Sequence, residues 1–251
     1  KKNSYKKVIH LAAQAGVRYS LINPMTYGES NLIGFLNVLE VCKSYPPELL
    51  IFASSSSVYG NSNKFPLRED DHTDTPSSLY AATKKANELL AYSYSQLHKL
   101  RTVGLRFFTV YGPFGRPDMA YFSFTKSILE NKPIRVFNNG HLFRDFTYVT
   151  DVIEGINAVL NMNEKNKEKD NYFDIYNLGS GNPINLSNFI EILENTLGKK
   201  AKIIYQDMQP GDVFKTFADM DKLSKDTGFK VKTSFEDGLS DFVSWYKEFY
   251  K

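Results

Sequence analysis

Tyr80 and Lys84 stand four residues apart, and Ser55 lies in the hydroxyl cluster Ser54-Ser55-Ser56-Ser57 that closes the apolar run Leu49-Leu50-Ile51-Phe52-Ala53. On a helix that spacing places both on one face, with the ammonium close to the phenol. A free tyrosine titrates near ~10, but a nearby cation favours the phenolate, and each tenfold change in that ionisation equilibrium takes roughly 1.4 kcal/mol of such interaction. Tyr80 can then take a proton from a substrate hydroxyl while Ser55 hydrogen-bonds the same oxygen and relays the proton. This is machinery for oxidising an alcohol to a ketone with a hydride acceptor, and it supplies neither a nucleophile nor a metal. Among 16 Tyr and 31 Lys plus Arg a Tyr-x-x-x-Lys match is expected by chance, and serine clusters are usually turns. The order of the parts, a serine-rich strand end followed by the tyrosine helix, is what carries weight.

The elements that must position these residues follow from periodicity. Residues 49–53 read as a buried parallel strand delivering a site at its carboxyl end, where ligands of open α/β sheets bind. Lys6 to Ala13 reads as a second strand with a small-residue end, and Thr102 to Val110 as a third, running into Tyr111-Gly112-Pro113. Pro24 to Ser44 carries Leu32, Phe35, Leu36 and Leu39 at helical spacing, and Tyr80 to Leu100 carries Leu89, Leu90, Tyr94 and Leu97. The polar loop 61–77 carries the chain from the strand to Tyr80. From about Phe114, segments alternate between the sheet layer and a smaller carboxyl-terminal lobe. There Val136 to Gly140 is a strand and turn, Asn177 to Gly181 a glycine turn before an amphipathic helix, and Gly238 to Tyr250 a helix with Leu239, Phe242, Trp245 and Tyr246 on one face. The charged stretch Asn161 to Asp170 is a loop without assigned function.

At 251 residues the chain can bury a full core of one or two domains. The net charge of +3 is spread among interspersed acids, which argues against nucleic acid as a partner. Cys42 is the only cysteine, which suits a reducing, cytoplasmic compartment, and His10, His72, His98 and His141 lack metal-ligand spacing, so no metal is expected. No apolar stretch approaches the ~20 residues of a membrane span, and no signal-peptide pattern opens the chain.

The motifs Ser54-Ser55-Ser56-Ser57-Val58-Tyr59-Gly60 and Tyr80-x-x-x-Lys84 resemble the extended short-chain dehydrogenase/reductase superfamily that acts on nucleotide sugars. With His10 to Arg18, Leu79 to Glu88, Leu105 to Pro113, Gly115 to Ala120 and Arg144 to Tyr148, the whole chain closely resembles the UDP-glucuronate 4-epimerases. That resemblance implies an α/β fold, a Rossmann-type doubly wound parallel sheet with a smaller α/β substrate lobe. Residues 1–113 would be the remainder of an NAD-binding domain, and 114–251 mainly the UDP-sugar lobe. It assigns NAD contacts to Leu11, Ala12, Ala13, Asn31, Ser54, Tyr80 and Lys84. It assigns substrate contacts to Arg18, Ser55, Ser56, Ser57, Tyr80, Thr109, Arg116, Val136, Arg144 and Asp212, with Arg144 on phosphate, Arg116 in the sugar pocket, Asp212 at the ribose and the strand of Val136 against the base. Without the family, an ion pair of Arg116 with Asp118, or of Arg144 with Asp145, is an even alternative.

Members of that family begin with a strand and a Gly-x-x-Gly-x-x-Gly turn for the NAD pyrophosphate, and neither this pattern nor the acidic residue for the adenosine ribose occurs here. On ~30 residues per βαβ unit, the resemblance implies that roughly the first three strands are absent, so that the chain is a fragment, inactive alone, with an exposed sheet edge. It also implies a homodimer through helices 24–44 and 80–100.

The implied reaction is reversible epimerisation of UDP-glucuronate to UDP-galacturonate through a 4-keto sugar. Related 4,6-dehydratases carry an Asp-Glu pair where this chain has Ser56 and Ser57, which disfavours dehydration. Ser56, Ser57 and Thr109 are expected to hold the sugar carboxylate so that its bond to the ring stays out of line with the ketone, suppressing decarboxylation. The alternatives are a UDP-glucose/galactose 4-epimerase and a sugar-nucleotide-binding protein without catalysis.

Overall fold

A computed structural model describes residues 5–162, 171–208 and 212–251. Its central sheet is parallel, with strands β1 (Lys7–His10), β2 (Leu49–Ser55), β3 (Thr102–Phe107) and β7 (Phe173–Leu178) in the order β1-β2-β3-β7. The continuous apolar runs are explained by burial of both faces. Leu50 and Phe52 of β2 pack with Phe35, Leu39 and Ala91 on one side, while Leu49 and Ile51 pack with Val152, Ile156 and Leu223 on the other. Helices α3 (Gly34–Ser44) and α4 (Leu79–His98) thus cover one face, and α6 (Val149–Leu160) and α8 (Asp221–Thr227) the other. Gly104 of β3 is dictated by crowding, since a Cβ there would meet Ile175 at 2.6 Å and Phe52 at 2.7 Å.

The expected strand 102–110 is two. β3 ends at Phe107, and β4 (Thr109–Tyr111) leaves the central sheet to pair with β6 (Phe143–Tyr148), itself antiparallel to β8 (Pro183–Asn185). The expected helix 24–44 is also composite: α2 (Pro24–Tyr27), a π-helical segment Gly28–Ile33, then α3. Asn31 within the π segment turns its amide inward, and such segments mark places where a helix yields to a specific contact. A short helix α1 (Val17–Ile22), not anticipated from the sequence, precedes it.

Around β4-β6-β8 and the parallel pair β5 (Pro133–Phe137) and β9 (Lys202–Gln206), a second layer forms with helices α5 (Ala120–Leu129), α7 (Leu186–Leu197) and α9 (Phe235–Phe249). Its core is aromatic, with Tyr111, Tyr121, Phe122, Phe146, Phe189, Phe235 and Phe242 all buried. Such ring pairs add about 0.5–1.5 kcal/mol each beyond burial. Both α6 and β7 return to the central sheet although they lie beyond residue 114. No helix among the described residues is long and apolar enough to cross a membrane.

Candidate active site

Three residues of β2 and three turns of α4 meet at the carboxyl edge of the sheet. Ser78 caps α4, its Oγ accepting from Ala81 N at 3.1 Å, and this sets where the helix starts. Tyr80, Lys84 and Glu88 then follow at four-residue spacing on the face toward β2. Lys84 Nζ donates to the Ala53 carbonyl at 2.9 Å, and Ser54 Oγ donates to Glu88 Oε1 at 2.6 Å. Ser55 caps the short 3-10 turn Ser56–Tyr59, accepting from Ser57 N at 3.2 Å and donating to Ser57 Oγ at 3.1 Å.

Burial pushes the Tyr80 phenol above its ordinary value, opposed by its hydrogen-bonding neighbour Ser55 and by the Arg116 guanidinium. Lys84, 3% exposed, is pushed down to about 8 by the same cause. Lys84 Nζ stands 6.0 Å from the Tyr80 ring centre and spends a hydrogen bond on the β2 backbone. An ammonium can donate three, so capacity for a further partner remains.

Tyr80, Ser55, Ser56, Ser57 and Thr109 line a cavity of about 400 Å³ between the two layers, within the usual range for small-molecule sites. Arg18, Arg116, Arg144 and Asp212 line it as well. Arg116 takes the alternative considered from sequence and the pocket position together, pairing through Nε with Asp118 at 3.0 Å while lining the cavity. Arg144 does not pair with Asp145. The two point to opposite faces of β6, and Arg144 donates to the Phe143 and Phe214 carbonyls at 2.9 and 3.3 Å. Asp145 is fully buried and accepts from Ser180 N, Ser180 Oγ, Gly181 N and Ala218 N at 2.6–3.0 Å. Burial and the nearby Arg18 hold the Arg144 pKa below its ordinary value, with Asp212 opposing. Arg18 faces Asp212 at 3.6 Å and lies over the Phe137 ring. Pro210 and Gly211, of the turn expected around Asp212, lie outside the described residues, as do residues 163–170 of the charged loop.

Several expected side chains are engaged elsewhere. Val136 is 1% exposed and belongs to the aromatic core, so on that strand it is the opposite face, Arg135 and Phe137, that lines the cavity. Asn31 accepts from Gln14 N at 2.8 Å and donates to Gln14 O and Thr83 Oγ1, both at 3.0 Å, so its amide clamps the loop after β1. Ser54 is spent on Glu88. Leu11 and Ala12 are exposed and Ala13 half-buried at the end of β1, outside the cavity. Residues not singled out from sequence also build the site. Tyr27 is fully buried, packs edge-on against Tyr80 with ring centres 6.2 Å apart, and donates to Gly16 O at 2.6 Å. Gly16 adopts φ 110, and a Cβ there would stand 3.0 Å from an Arg116 nitrogen.

An open parallel sheet wound on both faces, with a serine, tyrosine and lysine at its carboxyl edge, defines a nucleotide-cofactor type of α/β protein. The chain belongs to the NAD dependent epimerase/dehydratase family, whose profile matches residues 1–179. Among its relatives, Protein CapI of Staphylococcus aureus is 50% identical over 97% of this chain and 76% of its own length. UDP-glucuronate 4-epimerase 4 of Arabidopsis thaliana is 47% identical over 98% of this chain and 59% of its own. The crystal structure of UDP-glucuronic acid 4-epimerase from Bacillus cereus in complex with UDP-glucuronic acid and NAD superposes with a TM-score of 0.91 at 35% identity, covering 98% of this chain and 76% of that one.

Proposed function

We propose that this protein is an NAD-dependent nucleotide-sugar 4-epimerase that interconverts UDP-glucuronate and UDP-galacturonate. The observation that carries the reading is the set of groups lining one cavity: Tyr80 and Ser55, with Ser56, Ser57 and Thr109, and the arginines Arg18, Arg116, Arg135 and Arg144. Relatives and solved neighbours named as UDP-glucuronate 4-epimerases support the same choice.

Tyr80 Oη takes the proton of the sugar 4-hydroxyl and returns it, with Ser55 Oγ sharing the oxygen. NAD, when bound, supplies a hydride acceptor and donor for the fourth carbon. The chain's own residues fit its nicotinamide half. The end of β1 offers the small, open surface of Leu11 to Ala13, and the nearby Lys84 has unused N–H donors suited to ribose hydroxyls. Arg144 holds the diphosphate, which leaves the hexose held by hydroxyls and free to turn. Ser56, Ser57 and Thr109 orient the carboxylate and keep its bond away from the plane of the ketone.

Residues 1–113 serve the cofactor and 114–251 mainly the substrate, with α6 and β7 completing the sheet. The chain self-associates through its helices 24–44 and 80–100, as supported by the solvent-facing Val41, Leu89 and Leu97, which are 61%, 58% and 72% exposed.

Product analysis with UDP-glucuronate and UDP-glucose, together with the NAD content of the full-length protein, tests the function. UDP-galacturonate formed with NAD bound is the expected result. Turnover confined to UDP-glucose, or firm sugar-nucleotide binding without turnover in NAD-loaded protein, overturns it.

A further inference from the structure

A second, smaller cavity of about 140 Å³ adjoins the first, sharing Val17, Ser56, Ser57, Thr109, Arg144 and Asp212 as a common wall. Ser62, Ser77 and Lys215 line the smaller cavity and not the larger. Lys215 has an unusual setting. Its ammonium stands 5.0, 5.8 and 5.0 Å from the ring centres of Phe65, Phe143 and Phe217, which come from three separate segments. It pairs with no carboxylate among the described residues. Aromatic faces attract a cation without neutralising it, so the charge stays available. The backbone is held on both sides: Phe143 N donates to Phe214 O at 3.0 Å and Thr216 N to Phe143 O at 3.1 Å. Lys215 is thus presented to the annex by fixed structure.

The charges around the joined cavities point to a ligand. Arg18 is matched by Asp212 and Arg116 by Asp118. Arg135, Arg144 and Lys215 line these walls, Arg144 within the influence of Asp212 and Lys215 without a carboxylate pair among the described residues. A sugar nucleotide carries about two negative charges on its diphosphate at neutral pH, which Arg144 and Arg135 can answer across the larger cavity. One cation is then left over. It lines the smaller cavity together with Ser56, Ser57 and Thr109.

We propose that Lys215 and this annex form a carboxylate subsite, which makes the cavity prefer a uronate over a neutral hexose on the same nucleotide. The proposal rests on the UDP-sugar reading above and adds to it a residue that selects substrate. The hydroxyls receive the carboxylate oxygens from one side, and the Lys215 ammonium supplies the opposite charge from the other.

Calorimetric affinities of the full-length protein for UDP-glucuronate and UDP-glucose test it, on the unaltered chain and on the variants Lys215→Met and Lys215→Arg. Lys215→Met is expected to shrink the preference for UDP-glucuronate about tenfold, the size of one lost charge-assisted hydrogen bond, while Lys215→Arg retains most of it. A preference that survives Lys215→Met unchanged overturns the subsite and leaves the epimerase reading standing. Equal affinity of the unaltered chain for both sugars also overturns the subsite alone. Failure of the unaltered chain to bind either sugar nucleotide overturns both.

Discussion

Glu88 receives the Arg106 guanidinium through two parallel hydrogen bonds, Nε and Nη2 each at 2.9 Å, and the two side chains are only 5% and 4% exposed. Glu88 lies one turn beyond Lys84 and also accepts from Ser54, the neighbour of Ser55, so this ion pair sets the register of α4 against β2. Removing one partner leaves a buried charge unpaired, at a cost of about 3–5 kcal/mol. Glu88→Gln should lower the denaturant midpoint accordingly. In protein that remains folded, kcat should fall more than KM rises. The double variant Glu88→Met, Arg106→Met should recover much of the stability, because it leaves neither charge behind. A Glu88→Gln protein as stable and active as its parent would show that the register is set elsewhere.

Lys84 gives a pH dependence with a definite sign. Its folded pKa is about 8 against an ordinary 10.5, so between those values the unfolded chain binds more protons than the folded one. Stability from this group therefore rises as pH increases through that window and is flat below it. Lys84→Met should remove that rise, which melting temperatures across pH 7.5 to 10.5 would register. The same change should also lower turnover by about a hundredfold or more through loss of the cation beside Tyr80.

Tyr80→Phe keeps the ring that packs on Tyr27 and removes only the hydroxyl. Turnover should drop by about 10²–10⁴, with UDP-glucuronate affinity changed by less than about threefold since the phosphate contacts remain. Loss of affinity comparable to the loss of rate would make Tyr80 a binding group.

Gly16 lies where the sequence offered only a small residue in a motif. At φ 110 any side chain costs about 1–3 kcal/mol. Gly16→Ala would also push on Arg116, 3.0 Å from the new Cβ. A weaker affinity for the sugar nucleotide with a modest loss of stability is expected, measured by titration and thermal melting.

The proposed self-association makes a direct demand on α3 and α4. Charge placed on their exposed apolar residues, as in Val41→Glu with Leu89→Glu, should convert a dimer to monomers in sedimentation experiments while leaving the fold intact. A parent chain that sediments as a monomer would refute the interface outright.

The helix carrying Tyr80 and Lys84 was legible because its signals are local: the four-residue spacing of those two residues, and an apolar run before it that stops at serines. The breaks were not. Phe107 and Phe108 continue one apolar run, yet β3 ends between them because Phe108 packs with Val58 and Tyr59 while β4 joins the second layer. No neighbouring residue announces that change of partner. On β5 the alternation of strand side chains already separates Val136 from Arg135 and Phe137, but choosing which face meets the ligand required the position of the aromatic core. Asn31 and Ser54 show a related limit. Residue type proposes a ligand contact, and only the fold reveals that their hydrogen bonds are taken by Gln14, Thr83 and Glu88. Lys215 left no signal, since two of its three rings, Phe65 and Phe143, come from residues far away in the chain.

The segment 214–219 belongs to no named strand, yet it is stitched to both layers at once. Phe143 N, Thr216 N and Ala218 N tie it to β6 and Asp145, while Leu67 N and Asp219 N exchange hydrogen bonds across it with the loop after β2 at 2.7 and 2.9 Å. Widening the cleft on this side means breaking those bonds together. The amides of Leu67, Thr216, Ala218 and Asp219 should then exchange with solvent as one cooperative unit, and slow exchange in all of them would mark this wall as the fixed jaw, against which any breathing of the cleft is borne by the opposite rim.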